Sequence, residues 1–128
     1  MKSTTLASLI NELAFVVLAV SDMARSRAFY TGVLGLKETA NWDDKWVEFD
    51  IGHGTLAVTL AGKEMPVGGS GVMVALEVTD LDAAVAALRE SGFEPAGEPW
   101  DSPACRGLNL RDPDGYAILL HKIKPRTT

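Results

Sequence analysis

Apolar and polar positions alternate along short segments of the chain, and in two places this alternation gives way to a helical period. In residues 73–79 every second side chain is aliphatic, which predicts a strand; these residues are Val74, Leu76 and Val78. After Asp80 the apolar residues fall on one side of a helix, namely Leu81, Ala84, Val85 and Leu88. Asp80 or Asp82 can cap this helix, and Gly92 is placed to end it.

The same strand–Asp–helix pattern occurs earlier in the chain. An apolar strand over residues 14–20 leads to Asp22 and then to a helix that we expect to end at Gly35. Asp22 and Asp80 are 58 residues apart, and Gly35 and Gly92 are 57 apart. A repeat of this length in a short chain indicates two copies of one supersecondary unit.

The remaining segments complete each copy with three further strands. The first helix precedes predicted strands at 36–42, 46–51 and 55–60, and the second precedes strands at 93–97, 105–111 and 116–123. Residues 62–71 contain glycine and proline without periodicity and are predicted to be a linker. We therefore predict an α+β fold of two βαβββ modules, with an N-terminal arm at 1–12, the modules at 13–61 and 72–124, and the linker between them.

Composition and charge restrict the possible partners. The 128 residues are 47% hydrophobic and 23% charged, as expected of one soluble domain. A formal charge of −5 argues against a nucleic-acid partner. The apolar run at 13–20 is too short to span a membrane. The single cysteine, Cys105, excludes an intrachain disulfide and is compatible with a cytoplasmic location; we expect its thiol to be structural.

Several motifs, in this order, match a known family. They are Val20-Ser21-Asp22, Phe29-Tyr30, Leu34-Gly35-Leu36, the segment 76–82 and Asp112-Pro113-Asp114-Gly115-Tyr116. With these motifs the chain resembles the vicinal oxygen chelate superfamily, which includes glyoxalase I, bleomycin-resistance proteins and extradiol dioxygenases. The resemblance spans residues 14–122. It implies a cup-shaped mixed sheet, a small-molecule ligand and a homodimer, although fold alone does not determine function.

The metal enzymes of this superfamily place ligands at four strand positions. The resemblance puts three of them on Phe15, Met73 and Leu119, and the fourth on the strand that holds Ala57 and Thr59. Divalent metals of this class require nitrogen or oxygen donors. Phenylalanine and leucine have no donor atom, and a thioether is a poor ligand for such ions. We therefore predict that the usual metal site is absent and that the protein has no cofactor.

The same strand positions predict what lines the cup. Strand alternation places on one face mainly apolar residues, a composition typical of a small-molecule pocket; they are Phe15, Val17, Ala19, Ala57, Thr59, Met73, Ala75, Glu77, Ala117, Leu119 and His121. The predicted ligand-binding residues are Phe15, Val17, Trp46, Thr59, Met73, Trp100 and Leu119. One alternative is that the side chains of this face pack as a filled core without a pocket. A separate alternative is that the tryptophans belong to a dimer interface.

Glu77 and His121 are the candidate catalytic residues. If their strands are parallel neighbours, as the resemblance implies, the carboxylate can orient the imidazole or act with it in acid–base chemistry. Alternatively, Glu77 forms a structural ion pair with Arg106 or Arg111.

Three functions are compatible with these observations. The first is a metal-free protein that sequesters an apolar or aromatic molecule, as bleomycin-resistance relatives do. The second is a metal-independent isomerase or lyase that uses Glu77 and His121. The third is a metal-dependent lyase or dioxygenase with ligands drawn from His121, Glu77 and Glu48. The sequence leaves open whether a reaction is catalysed, and it does not identify the ligand.

Overall fold

The computed structural model describes residues 5–10, 12–63, 65–68 and 72–125. Its helical segments are α1 (Leu6–Leu9), α2 (Met23–Arg27), a π-helical continuation of α2 (Ala28–Val33) and α3 (Leu81–Glu90). Its strands are β1 (Val16–Val20), β2 (Lys37–Trp42), β3 (Trp46–Asp50), β4 (Thr55–Leu60), β5 (Met73–Glu77), β6 (Trp100–Asp101), β7 (Cys105–Arg111) and β8 (Ala117–Ile123). Within these residues, no helix is both long and apolar enough to cross a membrane.

The strands form two four-stranded mixed sheets with the same topology. The strand orders are β1-β4-β3-β2 and β5-β8-β7-β6. In each sheet the first strand is parallel to the last strand of its module, and the other pairs are antiparallel. Each half of the chain is therefore a βαβββ module, which confirms the predicted α+β fold.

The helix boundaries follow from local sequence. Asp22 and Asp80 each accept a hydrogen bond of 3.0 Å from the backbone N–H three residues later, so both are N-caps. Of the two candidate caps for α3, Asp80 therefore fills the role. Gly35 and Gly92 have φ angles of +71° and +89° and follow the two helical segments. This left-handed backbone is favourable for glycine, which explains why the helices end there.

The predicted strand at 93–97 is wrong. This segment has no regular structure. The strand that pairs with β7 on the side away from β8 is instead β6, where Trp100 lies opposite Gly107. Pro95 and Pro99 have no N–H to donate to a ladder, which disfavours pairing before Trp100. The strand therefore starts later and is shorter than the sequence pattern indicated.

The two modules share one hydrophobic core, to which each sheet contributes the residues that face its helix. The core includes Leu18, Val20, Phe29, Tyr30, Val58, Val74, Leu81, Leu88, Ile118 and Leu120. Two tyrosines hydrogen-bond across the modules: Tyr30 donates to Asp112 Oδ2 at 2.8 Å, and Tyr116 donates to the carbonyl of Ala19 at 2.8 Å. Burial, followed by the charge of Asp112, raises the pKa of Tyr30, so its hydroxyl remains a donor.

Candidate functional site

Each sheet has a second face that points away from the helices, and we call these two surfaces the cup faces. They follow from strand alternation, because Val47, Phe49, Leu108 and Leu110 are buried in the core while their neighbours point the other way. On the first sheet the cup face consists of Val17, Ala19, Ala40, Trp42, Trp46, Glu48, Ala57 and Thr59. On the second it consists of Met73, Ala75, Glu77, Trp100, Cys105, Gly107, Asn109, Ala117, Leu119 and His121.

The first cup face carries an aromatic pair. Phe15, just before β1, contacts Trp46 edge to face, with ring centroids 5.8 Å apart. Trp46 also donates its indole N–H to Glu48 Oε2 at 2.9 Å, and Thr59 lies opposite it on β4. Phe15 is 46% exposed although it is aromatic. Four of the predicted ligand-binding residues therefore lie on this face. They are Phe15, Trp46, Thr59 and, on β1 beside β4, Val17.

The second cup face is covered in part by Trp100. Its ring lies over Gly107 and beside Leu119, and its indole N–H donates to Asn109 Oδ1 at 3.1 Å. Leu119 is thereby buried, whereas Met73 on edge strand β5 remains 53% exposed. Gly107 and Asn109 were not predicted from the sequence; a glycine with an aromatic residue on the neighbouring strand is the signal that could have found Gly107.

Glu77 and His121 are neighbours on parallel strands, as their predicted pairing required. Glu77 Oε1 contacts His121 Nδ1, and Glu77 Oε2 accepts a 2.8 Å hydrogen bond from the backbone N–H of Ile123. The bond to His121 lowers the pKa of Glu77, and the same bond raises the pKa of His121. Arg106 instead pairs with an aspartate of α3, and Arg111 donates to a backbone carbonyl, so neither arginine holds Glu77.

The thiol of Cys105 belongs to the same group of side chains. Cys105 is partly exposed, and its Sγ lies 3.5 Å from the hydroxyl of Ser102. The contact with the Ser102 hydroxyl, followed by the nearby imidazole of His121, lowers the pKa of this thiol. Sequence reasoning assigned Cys105 no chemical partner. Ser102 is close in sequence, whereas His121 is brought near Cys105 only by the pairing of β7 with β8.

The residues present do not fit the metal site of the superfamily's metal enzymes. Phe15, Met73 and Leu119 carry no suitable donor for such an ion. In the displaced set, Glu48 is bonded to Trp46, and Glu77 is bonded to His121 and to the backbone N–H of Ile123. In the described ranges, no group of three His, Cys, Asp or Glu side chains is arranged to hold a metal ion.

Two cavities lie along the edge strands rather than over the sheet centres. The larger, 590 Å³, runs along β5 between the modules and is mainly apolar, with Glu77, Asp50 and His53 among its polar lining residues. His53 is exposed in the loop before β4. The smaller, 280 Å³, lies along β1 and includes Val17 and Tyr116 in its lining.

Comparison with known families agrees with this architecture. The family model described as the glyoxalase/bleomycin resistance protein/dioxygenase superfamily matches residues 12–120. The chain therefore belongs to this superfamily. No curated protein matches it in sequence.

Solved structures of the same fold include both a binding protein and an enzyme. TnmS3, an antibiotic-binding protein from a Streptomyces species, is 26% identical, with a TM-score of 0.76 over 90% of this chain and 98% of TnmS3. A glyoxalase/bleomycin resistance protein from Catenulispora acidiphila is 25% identical, with a TM-score of 0.72 over 88% of this chain and all of that one. Lactoylglutathione lyase from Agrobacterium tumefaciens shares the fold at 16% identity, with a TM-score of 0.73 over 88% of this chain and 94% of the lyase.

Proposed function

We propose that this protein binds a small apolar or aromatic molecule on its cup faces without using a metal ion. The observation that carries the proposal is the aromatic and aliphatic surface left exposed there, above all the Phe15–Trp46 pair. Flat apolar ligands stack on such rings, and a few polar groups nearby orient them. The likeness to antibiotic-binding TnmS3 supports this function over the lyase activity of a more distant relative.

A thermal-shift screen against planar aromatic antibiotics and flat metabolites tests this proposal. A compound present at 100 times its Kd should stabilise the protein by about 2.7 kcal/mol. Trp46→Ala should weaken binding of any hit, whereas Val67→Ala, which removes an exposed apolar side chain from the linker, should not. A screen without hits, or equal effects of the two substitutions, would contradict the proposed site.

The absence of a metal requirement is tested separately by elemental analysis of the purified protein. We expect no stoichiometric nickel, zinc, iron or manganese, and we expect ligand binding to survive treatment with a chelator. A stoichiometric ion that is needed for binding would refute a metal-free function.

We further propose that a second copy of the chain completes each cup and that the protein acts in the cytoplasm. In the described part of the chain, β1 and β5 each have a free edge beside their exposed cup face. A free edge and an exposed apolar face favour association. Sedimentation or light scattering should give twice the 13.7 kDa chain mass; a monomer at micromolar concentration would refute the dimer.

The contact between Glu77 and His121 favours a second candidate function, a metal-independent isomerase or lyase. A carboxylate that holds an imidazole can support proton transfer to or from a bound substrate. For any substrate that the protein converts, Glu77→Gln should abolish turnover while the protein remains folded. Unfolding of this variant would instead indicate a structural carboxylate.

A further inference from the structure

Cys105, His121 and Glu77 form a chemically complementary group on the second cup face. Cys105 is two residues before Gly107, which lies directly opposite His121 on β8, so Cys105 is a diagonal neighbour of His121 on the same face. Glu77 contacts His121 Nδ1 from the other side. The bond to Glu77 leaves the second ring nitrogen of His121 for another partner.

Other nearby polar groups orient the thiol and add positive charge. The hydroxyl of Ser102 accepts from the backbone N–H of Cys105 at 3.2 Å and donates to its carbonyl at 2.9 Å. Lys124 lies beside this turn, where it donates to the Ser102 carbonyl at 2.6 Å and pairs with Asp101. His121 and Lys124 both favour the thiolate form of Cys105. This environment is typical of a reactive cysteine rather than an inert, buried one.

We propose that Cys105 is a nucleophile that captures small electrophiles carrying a carbon–carbon double bond conjugated to a carbonyl group. The thiolate attacks the β-carbon and forms a carbon–sulfur bond while the π electrons move onto the carbonyl as an enolate. The imidazolium of His121 then returns a proton to the α-carbon, and Glu77 stabilises the charged ring. The product is a thioether, and no external oxidant or reductant is needed.

The surroundings favour this addition over acyl transfer. Acyl transfer requires free hydrogen-bond donors for a developing oxyanion. The donors of Ser102 and Lys124 already bond to protein oxygens. Conjugate addition needs only a thiolate and a proton donor, and Cys105 and His121 supply both. The inference goes beyond the proposed binding function, because it holds whether or not the cup sequesters an unreactive ligand.

Alkylation by N-ethylmaleimide, a conjugated imide, tests the proposal directly. The chain has one cysteine, so each mass increment of the intact protein reports on Cys105. In the wild-type protein, the midpoint of the rate–pH profile should lie below the value of about 8.5 typical of a free thiol. His121→Gln should raise that midpoint, and alkylation at neutral pH should slow about tenfold for each pH unit by which the midpoint rises. His53→Gln, which changes the exposed loop histidine, should have no effect.

Iodoacetamide separates proton donation from thiol ionisation, because displacement of iodide requires no proton. His121→Gln should therefore slow N-ethylmaleimide more than iodoacetamide; equal slowing would overturn the role of His121 as a proton donor. If His121→Gln does not fold, the proposal can still be tested on the wild-type protein. The ultraviolet absorbance of the thiolate is then titrated with pH, with Cys105→Ser as the blank. A midpoint at the free-thiol value would refute the nucleophile, while the ligand screen above would be unaffected.

Discussion

Gly107 offers a sharp test of how the second cup face is built. A methyl group added at this position would lie 2.8 Å from Trp100 Cε2 and 2.9 Å from Leu119 Cδ1, and closer still to Trp100 Cζ2. Carbon atoms in ordinary contact are about 3.5–4.0 Å apart, so the indole ring or Leu119 must move by roughly 1 Å in Gly107→Ala. Because Trp100 is 36% exposed, we expect the ring to move toward solvent.

The magnitude follows from two opposing effects. Forcing a methyl group into filled space costs about 1–3 kcal/mol of folding free energy. Replacing glycine by alanine also gains about 0.4–1 kcal/mol, because the unfolded chain becomes less flexible. Gly97→Ala is the matched control, since no atom lies within 4 Å of its added methyl group. The two variants share the entropic gain, so Gly107→Ala should be about 1–3 kcal/mol less stable than Gly97→Ala.

Urea unfolding measures this difference, provided that the transitions are two-state. Fluorescence locates the cause: with Trp42→Phe and Trp46→Phe, Trp100 is the single emitting tryptophan, and Gly107→Ala should shift its emission to the red. In a Trp100→Ala background, most of the cost of Gly107→Ala should disappear. Equal stability of the two alanine variants with unchanged emission would refute the packing of Trp100 over Gly107.

The remaining predictions concern two polar contacts, between Tyr30 and Asp112 and between Glu77 and His121. Tyr30→Phe removes the hydrogen bond to the buried carboxylate of Asp112 and should lower the unfolding free energy by about 1.5–3 kcal/mol; an unchanged urea midpoint would contradict this role. In an NMR titration, Glu77→Gln should lower the pKa of His121, because the hydrogen bond to Glu77 is the main cause of its raised value. Because the folded pKa of His121 is raised, its stabilising contribution should be complete below about pH 6.5 and lost as pH rises through the folded pKa. Because the folded pKa of Glu77 is lowered, its stabilising contribution should be lost at acidic pH, as pH falls through that folded pKa. A urea midpoint that does not change with pH in either the Glu77 or the His121 range would rule out a stabilising contact between the two side chains.

The repeated module could be predicted from the sequence because its signals are local. Strand alternation, the capping residues Asp22 and Asp80 and the helix-ending glycines Gly35 and Gly92 act through neighbours a few residues away. The parallel pairing that brings Glu77 to His121 came from the family resemblance, since alternation does not specify which strands are neighbours. The position of β6 was predicted wrongly because the strand was placed at the apolar Phe93, although the prolines that follow disfavour strand pairing there.

By itself, the sequence determined the two modules, their caps and the alternation that separates core-facing from outward-facing residues. Only the tertiary structure decided that Trp100 covers Gly107, that Cys105 is a diagonal neighbour of His121 and that Tyr30 reaches Asp112, 82 residues away. These contacts depend on strand register and on how the modules dock. Both are set by many weak interactions between distant segments, so no local pattern of residues encodes them.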